Sequence, residues 1–163
     1  MPRRLEALMR YSLLVVAFAL SACGASLIPG TQVQDTPQNR EISDLVEAYR
    51  TALEDRSEDK LRKLVSRRYY ENASTTDDNQ DDYGYDKLSG EVLPKLKDNI
   101  KKVQYRIVLR RVTFDGERAT AEYEYFWKFQ YSEGGRTEWK AANDFNRLDF
   151  VKEDGHWKII AGL

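Results

Sequence analysis

Cysteine and histidine are almost absent from this chain: its 163 residues include one of each, Cys23 and His156. A single cysteine excludes a disulfide within the chain and a zinc site built from several thiolates. His156 directly follows the turn dipeptide Asp154-Gly155 and is opposite in phase to Trp157. We therefore expect an exposed, turn-flanking side chain at His156 and not a catalytic base.

A long hydrophobic run is also absent. The apolar stretch from Tyr11 to Leu20 is well short of the roughly 20 residues that cross a bilayer as a helix. Arginines precede this stretch and small residues follow it, which is the order found in a secretory signal peptide. The sequence therefore predicts a signal peptide over residues 1–22. A retained anchor helix is an alternative interpretation of the same stretch.

The four residues Leu20-Ser21-Ala22-Cys23 resemble a bacterial lipobox. The resemblance implies cleavage before Cys23 and acylation of its sulfur and amino group, which would anchor the protein in a membrane. One acyl chain binds only marginally, whereas two or three hold a protein almost permanently. Gly24 stands where lipoproteins retained in the inner membrane of enteric bacteria usually carry Asp, so we expect an outer-membrane protein facing the periplasm. A plain signal peptide without lipid is the alternative.

A strong net charge of either sign is missing as well. The formal net charge is −1, and removal of residues 1–22 with three arginines and one glutamate lowers it to about −3. Because no basic patch with interleaved aromatic residues is visible, nucleic acid is not an expected partner. Residues 24–40 lack periodicity and are rich in Gly, Pro, Gln, Ser and Thr. They predict a flexible linker, so that residues 23–40 form a lipidated N-terminus and a tether.

The remaining residues, 41–163, have enough apolar and aromatic side chains for the core of one domain. Hydrophobic residues at helical spacing predict a helix around Ile42 to Leu53, a second that begins after Ser57, and a third over Tyr85 to Lys101. Pro94 should kink or restart the third segment, because proline lacks an N–H group and clashes one turn back.

After Lys101 the hydrophobic period changes to 2, which predicts four half-buried antiparallel strands joined by three tight turns. Burial favours Leu109 opposite Tyr123 and requires a three-residue loop at Asp115 to Glu117. At the last turn, a two-residue loop places Phe150 opposite Ile159.

The same last turn places Leu148 opposite Ala161, so the third strand faces inward at even positions near its end. Earlier in this strand, Trp139 is at an odd position, so its burial would require odd-numbered residues to face inward there. The sequence therefore predicts that a β-bulge between Asn143 and Arg147 absorbs one extra residue.

Three segments carry a family resemblance: the closing strand, Asp-Gly turn and Trp-x-Ile strand from Leu148 to Ile160, the hairpin Val112 to Ala121, and the helix Leu61 to Tyr69. In this order they resemble the nuclear transport factor 2-like superfamily. The resemblance implies an α+β fold in which N-terminal helices pack on a curved four-stranded antiparallel sheet, forming a cone around a pocket. It implies no single function, because the superfamily includes isomerases, dehydratases, cyclases, transport factors and binding modules.

The inner face of the predicted cone is mainly aromatic and aliphatic, so no catalytic residue is assigned. Polar groups meet aromatic rings at the open end, where we expect a binding site formed by Tyr123, Tyr125, Trp139, Asn143, Asp144 and Phe145. The sequence thus favours a membrane-anchored, non-catalytic binding or interaction module without a cofactor. Its expected partner is an envelope protein or a small apolar ligand. The alternatives are a small-molecule enzyme of the isomerase, dehydratase or hydrolase type with its site in the cone, and a structural spacer.

The acidic run Asp77 to Asp82 does not fit a calcium-binding EF-hand. In the frame that starts at Asp77, position 6 is Asp82 and position 12 is Leu88, where Gly and Glu are required. We therefore expect a solvated acidic loop and assign no metal site. A weak cation site and an electrostatic contact for a basic partner are the alternatives.

Overall fold

The computed structural model describes residues 26–72, 81–98, 102–133 and 136–163. It has the predicted α+β fold, in which helices precede and cover a four-stranded antiparallel sheet with the order β3-β4-β5-β6. The elements follow the chain in this order: α1 (Pro37–Glu54), α2 (Glu58–Leu64), β1 (Tyr70–Glu71), β2 (Tyr83–Gly84), α3 (Tyr85–Lys87), a π-helical turn (Leu88–Val92), α4 (Leu93–Asp98), β3 (Lys102–Asp115), β4 (Arg118–Glu133), β5 (Arg136–Glu153) and β6 (His156–Ala161).

Helix α1 begins at Pro37, because the hydroxyl of Thr36 caps it by accepting a hydrogen bond from the Asn39 N–H at 3.2 Å. Its buried stripe packs mainly against β3 and consists of Ile42, Val46, Tyr49 and Ala52. Ser57 caps α2 as predicted by accepting from the Lys60 N–H.

Pro94 is the second residue of α4, the helix that follows the one π-helical turn among the described residues. Leu93 donates its N–H to the carbonyl of Leu88, five residues back, and this wider turn precedes a proline whose ring would crowd the carbonyl of Gly90. The predicted disturbance of the third helical segment is thus confirmed as a π turn between α3 and α4.

In the pairing of β3 with β4, the residues predicted to face the helices do so, although the length of the connecting loop was predicted wrongly. Leu109 lies opposite Tyr123, as expected, but Asp115 pairs with Arg118 and leaves a two-residue loop. A β-bulge between Leu109 and Arg111 absorbs the difference. The extra residue, Arg110, forms an ion pair with Glu124.

The bulge predicted between Asn143 and Arg147 is absent, because the β4–β5 register is continuous from Arg118 to Glu133. Even-numbered residues of β5 therefore lie on the inner face of the sheet along the whole strand. Trp139 lies on the outer face, where the Lys128 ammonium group is 4.6 Å from its ring centroid. The irregularity of β5 lies later, at its pairing with β6.

Phe150 pairs with Ile159 as predicted, but Ala161 pairs with Asp149 and not with Leu148. The register shift falls between Asp149 and Phe150. At the turn itself, Asp154 and Gly155 both have positive φ angles, as a two-residue type I′ hairpin requires. Trp157, expected in the core beside Ile159, is only half-buried.

The segment predicted as a flexible linker is folded from Ser26 onward. Residues 26–35 form a small hairpin in which Ile28 N–H donates to Val33 O at 2.9 Å and Asp35 N–H donates to Ser26 O at 2.7 Å. Val33 is buried, and Gln32 N–H donates to Leu109 O at the outer edge of β3. Two apolar side chains, Ile28 and Val33, are enough to attach this segment to the core but too few to produce a visible period.

The core lies between α1, α2 and the half of the sheet next to the β3–β4 and β5–β6 turns. Tyr123, Leu148, Phe150 and Ile159 have no exposed surface there. Residues 137–147 of β5 are exposed on both faces, so the sheet extends beyond its helical cover. Within the described part of the chain, no helix combines the length and apolar character needed to cross a membrane.

Candidate functional site

A groove with a volume of about 890 Å³ opens where the sheet extends beyond α1. One wall is the last part of α1, with Glu47, Arg50 and Glu54. The opposite wall comes from β3, β4 and β5, with Tyr105, Ile107, Trp127 and Ala142 among its residues. We call this feature the aromatic groove, because Tyr105 and Trp127, each a member of a stacked aromatic pair, line its sheet wall.

The stacked pairs follow from the alternation of side chains along β3 and β4. Tyr105 and Tyr125 have ring centroids 5.6 Å apart and planes that differ by 9°. Further along β4, Trp127 and Phe129 stack with centroids 4.7 Å apart. Tyr105 and Trp127 line the groove and are only partly buried, so they leave flat apolar surface exposed to it.

Helix α1 is fixed to the edge of β3 by two charged side chains. Glu54 Oε1 accepts the Tyr105 N–H at 2.8 Å, and Arg50 Nη1 donates to the Tyr105 carbonyl at 3.2 Å. Because β3 is an edge strand, these backbone groups have no partner strand. Side chains of α1 therefore make the hydrogen bonds to β3 that a neighbouring strand would otherwise make at this point.

Arg50 also binds Glu47 in a bidentate arrangement, with hydrogen bonds of 2.7 and 2.8 Å, and forms an ion pair with Glu54. Hydrogen bonding to Arg50 lowers the pKa of Glu47, while the same bonds raise the pKa of Arg50. At neutral pH both groups are ionised and already paired. The helical wall of the groove thus presents satisfied charges.

A cluster of phenols lies deeper, between α1 and the sheet. Burial raises the pKa of Tyr49 and Tyr105, and it raises the pKa of Tyr123 to about 12. The Tyr123 hydroxyl is buried without a hydrogen bond of good geometry among the described residues, although Tyr49, Tyr105 and Asn146 are close enough to influence it. These phenols stay protonated at neutral pH and act as hydrogen-bond donors and acceptors only.

The structure divides the six residues predicted for the binding site between the two faces of the sheet. Tyr123, Tyr125 and Asp144 are on the inner face, where Asp144 pairs directly with Tyr125. Trp139, Asn143 and Phe145 are on the outer face, because no bulge reverses the phase of β5. Trp139 is 44% exposed and Phe145 is 68% exposed.

Several of the six residues border depressions, but they do not form one site. Asn143 contributes to the rim of the aromatic groove. Tyr123 and Phe145 border a second depression of about 730 Å³, together with Arg110, Asn146 and Arg147. Asp144 Oδ1 accepts the N–H of Phe145 at 2.8 Å, so this carboxylate is engaged locally.

Sequence reasoning missed the three charged residues of α1. Their spacing of three and four residues signals ion pairs on one helix face, but it carries no information about which strand edge that face meets. The alternating hydrophobic pattern of β4 predicts that Trp127 faces inward, but Trp127 was not included in the predicted binding site.

The other candidate residues lie away from the groove or outside the described chain. Cys23 and the lipobox, and Asp77 to Gln80 of the acidic run, lie outside the described residues. Asp82 accepts a hydrogen bond from the Tyr70 hydroxyl. His156 is exposed at the start of β6. Among the described residues, no group of three His, Cys, Asp or Glu side chains is placed to hold a metal ion.

Comparison with solved structures identifies a nuclear transport factor 2-like, or cystatin-like, fold. A nuclear transport factor 2-like superfamily protein from Salmonella enterica has a TM-score of 0.59 at 12% identity, covering 76% of this chain and 86% of its own. An uncharacterised protein with a cystatin-like fold from Caulobacter vibrioides has a TM-score of 0.58 at 20% identity, with coverages of 76% and 85%. A putative scytalone dehydratase from Novosphingobium aromaticivorans has a TM-score of 0.61 at 14% identity, with coverages of 77% and 80%.

These identities are low, so the likeness establishes the fold and not the activity. No protein-family model matches the chain, and no curated protein matches it. The function must therefore be argued from the groove itself.

Proposed function

We propose that this protein is an envelope lipoprotein, anchored through Cys23, whose domain is a non-catalytic binding module for a small, partly apolar ligand. The observation that carries the binding role is the aromatic groove, with stacked rings on its sheet wall and paired charges on its helical wall. Flat apolar surface beside a few fixed polar groups is typical of small-molecule sites. Trp127 and Tyr105 would contact the apolar part of the ligand.

The charges of the groove support binding more than catalysis. Glu47 and Glu54 both form ion pairs with Arg50. The pKa of Glu47 is lowered by its hydrogen bonds to Arg50, so this carboxylate is a poor general acid at neutral pH. The buried phenols have raised pKa values, so they stay protonated at neutral pH and supply no phenolate to act as a general base. Neither histidine nor cysteine lies among the described residues that line the groove.

Fluorescence of N-phenyl-1-naphthylamine, a neutral apolar dye, tests the site in the purified protein. Dye emission should rise on addition of the protein, and Trp127→Ala should weaken binding about tenfold, or about 1.4 kcal/mol. Trp139→Ala is the matched control, because Trp139 is on the outer face of the same sheet and should leave dye affinity unchanged. Equal losses in both variants would remove the groove as the binding site.

A small-molecule enzyme is the second candidate function. It is supported by the name of the Novosphingobium neighbour and by the position of Asp144, directly opposite Tyr125 on the inner face of the sheet. A carboxylate and a phenol on paired strand positions of one sheet face could act on one bound molecule. Turnover of a panel of small carbonyl and hydroxy compounds that Asp144→Asn abolishes, with the fold intact, would favour the enzyme over the binding module.

A further inference from the structure

The N-terminal hairpin, residues 26–35, starts three positions after the proposed site of acylation. Chain geometry allows at most about 3.3 to 3.6 Å per residue, so the Cα atom of Ser26 can lie no more than about 11 Å from that of Cys23. A flexible linker that ended at Arg40 would have allowed a separation of some tens of ångströms. Only Gly24 and Ala25 separate the anchor from folded chain.

We propose that the hairpin is a membrane-contact surface, which holds the domain directly against the lipid bilayer to which Cys23 is anchored. This inference rests on the proposed anchoring. Since the hairpin is attached to the core through Val33 and to β3 through the Gln32–Leu109 hydrogen bond, it cannot act as a spacer. The short connection therefore holds the whole domain close to the anchor.

The composition of the hairpin suits the interface of a bilayer. Residues 26–34 contain no charged side chain in a chain that is 33% charged. Leu27 is 52% exposed, and Pro29 and Gly30 form an exposed turn in which Gly30 has φ +78°. Asp35, the first charged residue of the hairpin, is paired with Arg40. Contact of residues 26–34 with lipid would therefore remove no charged side chain from water.

Membrane contact at the hairpin would leave the aromatic groove away from the lipid. The hairpin adjoins the first turn of α1, whereas the groove residues of this helix, Glu47 to Glu54, lie further along it. They are about 15 to 25 Å from Pro37 along the helix axis. The groove is therefore not part of the contact surface.

Quenching of a fluorescent label in the full, lipidated chain tests the contact. A nitrobenzoxadiazole label is placed on Gln34→Cys, which pairs with Leu27 in the hairpin, or on Thr137→Cys, an exposed position in the outer part of β5. Acylation consumes the thiol of Cys23, so the new cysteine is the only one that reacts. In phosphatidylcholine–phosphatidylglycerol vesicles with doxyl-labelled lipid, we expect roughly threefold stronger quenching at position 34 than at 137.

A spacer variant is the matched control. Insertion of 20 Gly and Ser residues between Ala25 and Ser26 allows a root-mean-square separation of about 25 Å, so the two labels should be quenched equally while the protein stays on the vesicles. Equal quenching in the chain of natural length would overturn the contact and leave the anchor intact. A protein that floats free and has a reactive Cys23 thiol would overturn the anchor and this inference together.

Discussion

Glu54 of α1 accepts the backbone N–H of Tyr105 in β3 at 2.8 Å, and this bond joins the helical layer to the exposed edge of the sheet. Arg50 donates to the carbonyl of the same residue, so both edge groups of Tyr105 are satisfied by one helix turn. The arrangement protects an edge strand from pairing with another chain and places one wall of the aromatic groove.

Replacement of Glu54 by Ala should destabilise the protein by about 1 to 3 kcal/mol, because it removes a charge-assisted hydrogen bond and leaves the Tyr105 N–H without a partner. Urea unfolding followed by circular dichroism measures the loss. Glu47→Ala is the control, since Glu47 also binds Arg50 but does not reach β3, and an exposed ion pair contributes less than about 1 kcal/mol. Similar losses in the two variants would contradict a special role for the contact with β3.

The core of the sheet gives a second prediction. Phe150 is fully buried opposite Ile159, so Phe150→Ala should cost about 3 to 5 kcal/mol of unfolding free energy. Trp157→Ala should cost less, because Trp157 is half-buried and its indole N–H bonds to the exposed Glu41 at 3.0 Å. His156→Ala should change stability by less than about 0.5 kcal/mol. Chemical denaturation of the three variants ranks them, and a larger loss for Trp157→Ala than for Phe150→Ala would refute the burial described above.

The inward row of β3 and β4 was predictable because burial alone specifies which residues must face the helices. A slip by one position would have turned Glu122 toward the core in place of Tyr123. Burial does not specify whether a longer loop or a β-bulge produces that register. The extra residue is an arginine whose charge pairs with Glu124, and nothing in the sequence distinguishes it from an ordinary strand residue.

The error in β5 had a different cause from the error in the β3–β4 loop. Trp139 and Phe145 were assigned to the interior because they are large and aromatic. Both are exposed, Phe145 by 68%. Apolar residues are not restricted to the interior, since more than half of a protein's accessible surface is apolar. Three of the six residues predicted for the binding site, Trp139, Asn143 and Phe145, were therefore assigned to the wrong face of the sheet.

Acylation of Cys23 is a third prediction, since it depends on the motif Leu20-Ser21-Ala22-Cys23. Cys23→Ser should prevent attachment of lipid and move the protein from the membrane fraction to the soluble fraction. Metabolic labelling with an alkyne fatty acid, followed by fractionation, measures both effects. Fatty-acid label that remains on the Ser variant would show that the anchor lies elsewhere.

The last prediction concerns alkaline pH. Burial raises the pKa of Tyr123 to about 12 in the folded protein, while the phenol titrates near 10 in the unfolded chain. Above pH 10 the unfolded chain releases this proton first, so stability declines as the pH rises from 10 through 12, by at most about 1.4 kcal/mol per pH unit for this group.

Tyr123→Phe removes this contribution, so the variant should lose less stability than the natural protein between pH 10 and 12. At pH 7 the variant should be about as stable as the natural protein or slightly more so, because the lost hydroxyl is buried without a good hydrogen bond. Urea midpoints measured at pH 7, 10 and 11.5 decide the matter, with Tyr125→Phe, whose ring is partly exposed, as the control. An unchanged alkaline decline in Tyr123→Phe would mean that the Tyr123 phenol ionises as easily in the folded protein as in the unfolded chain.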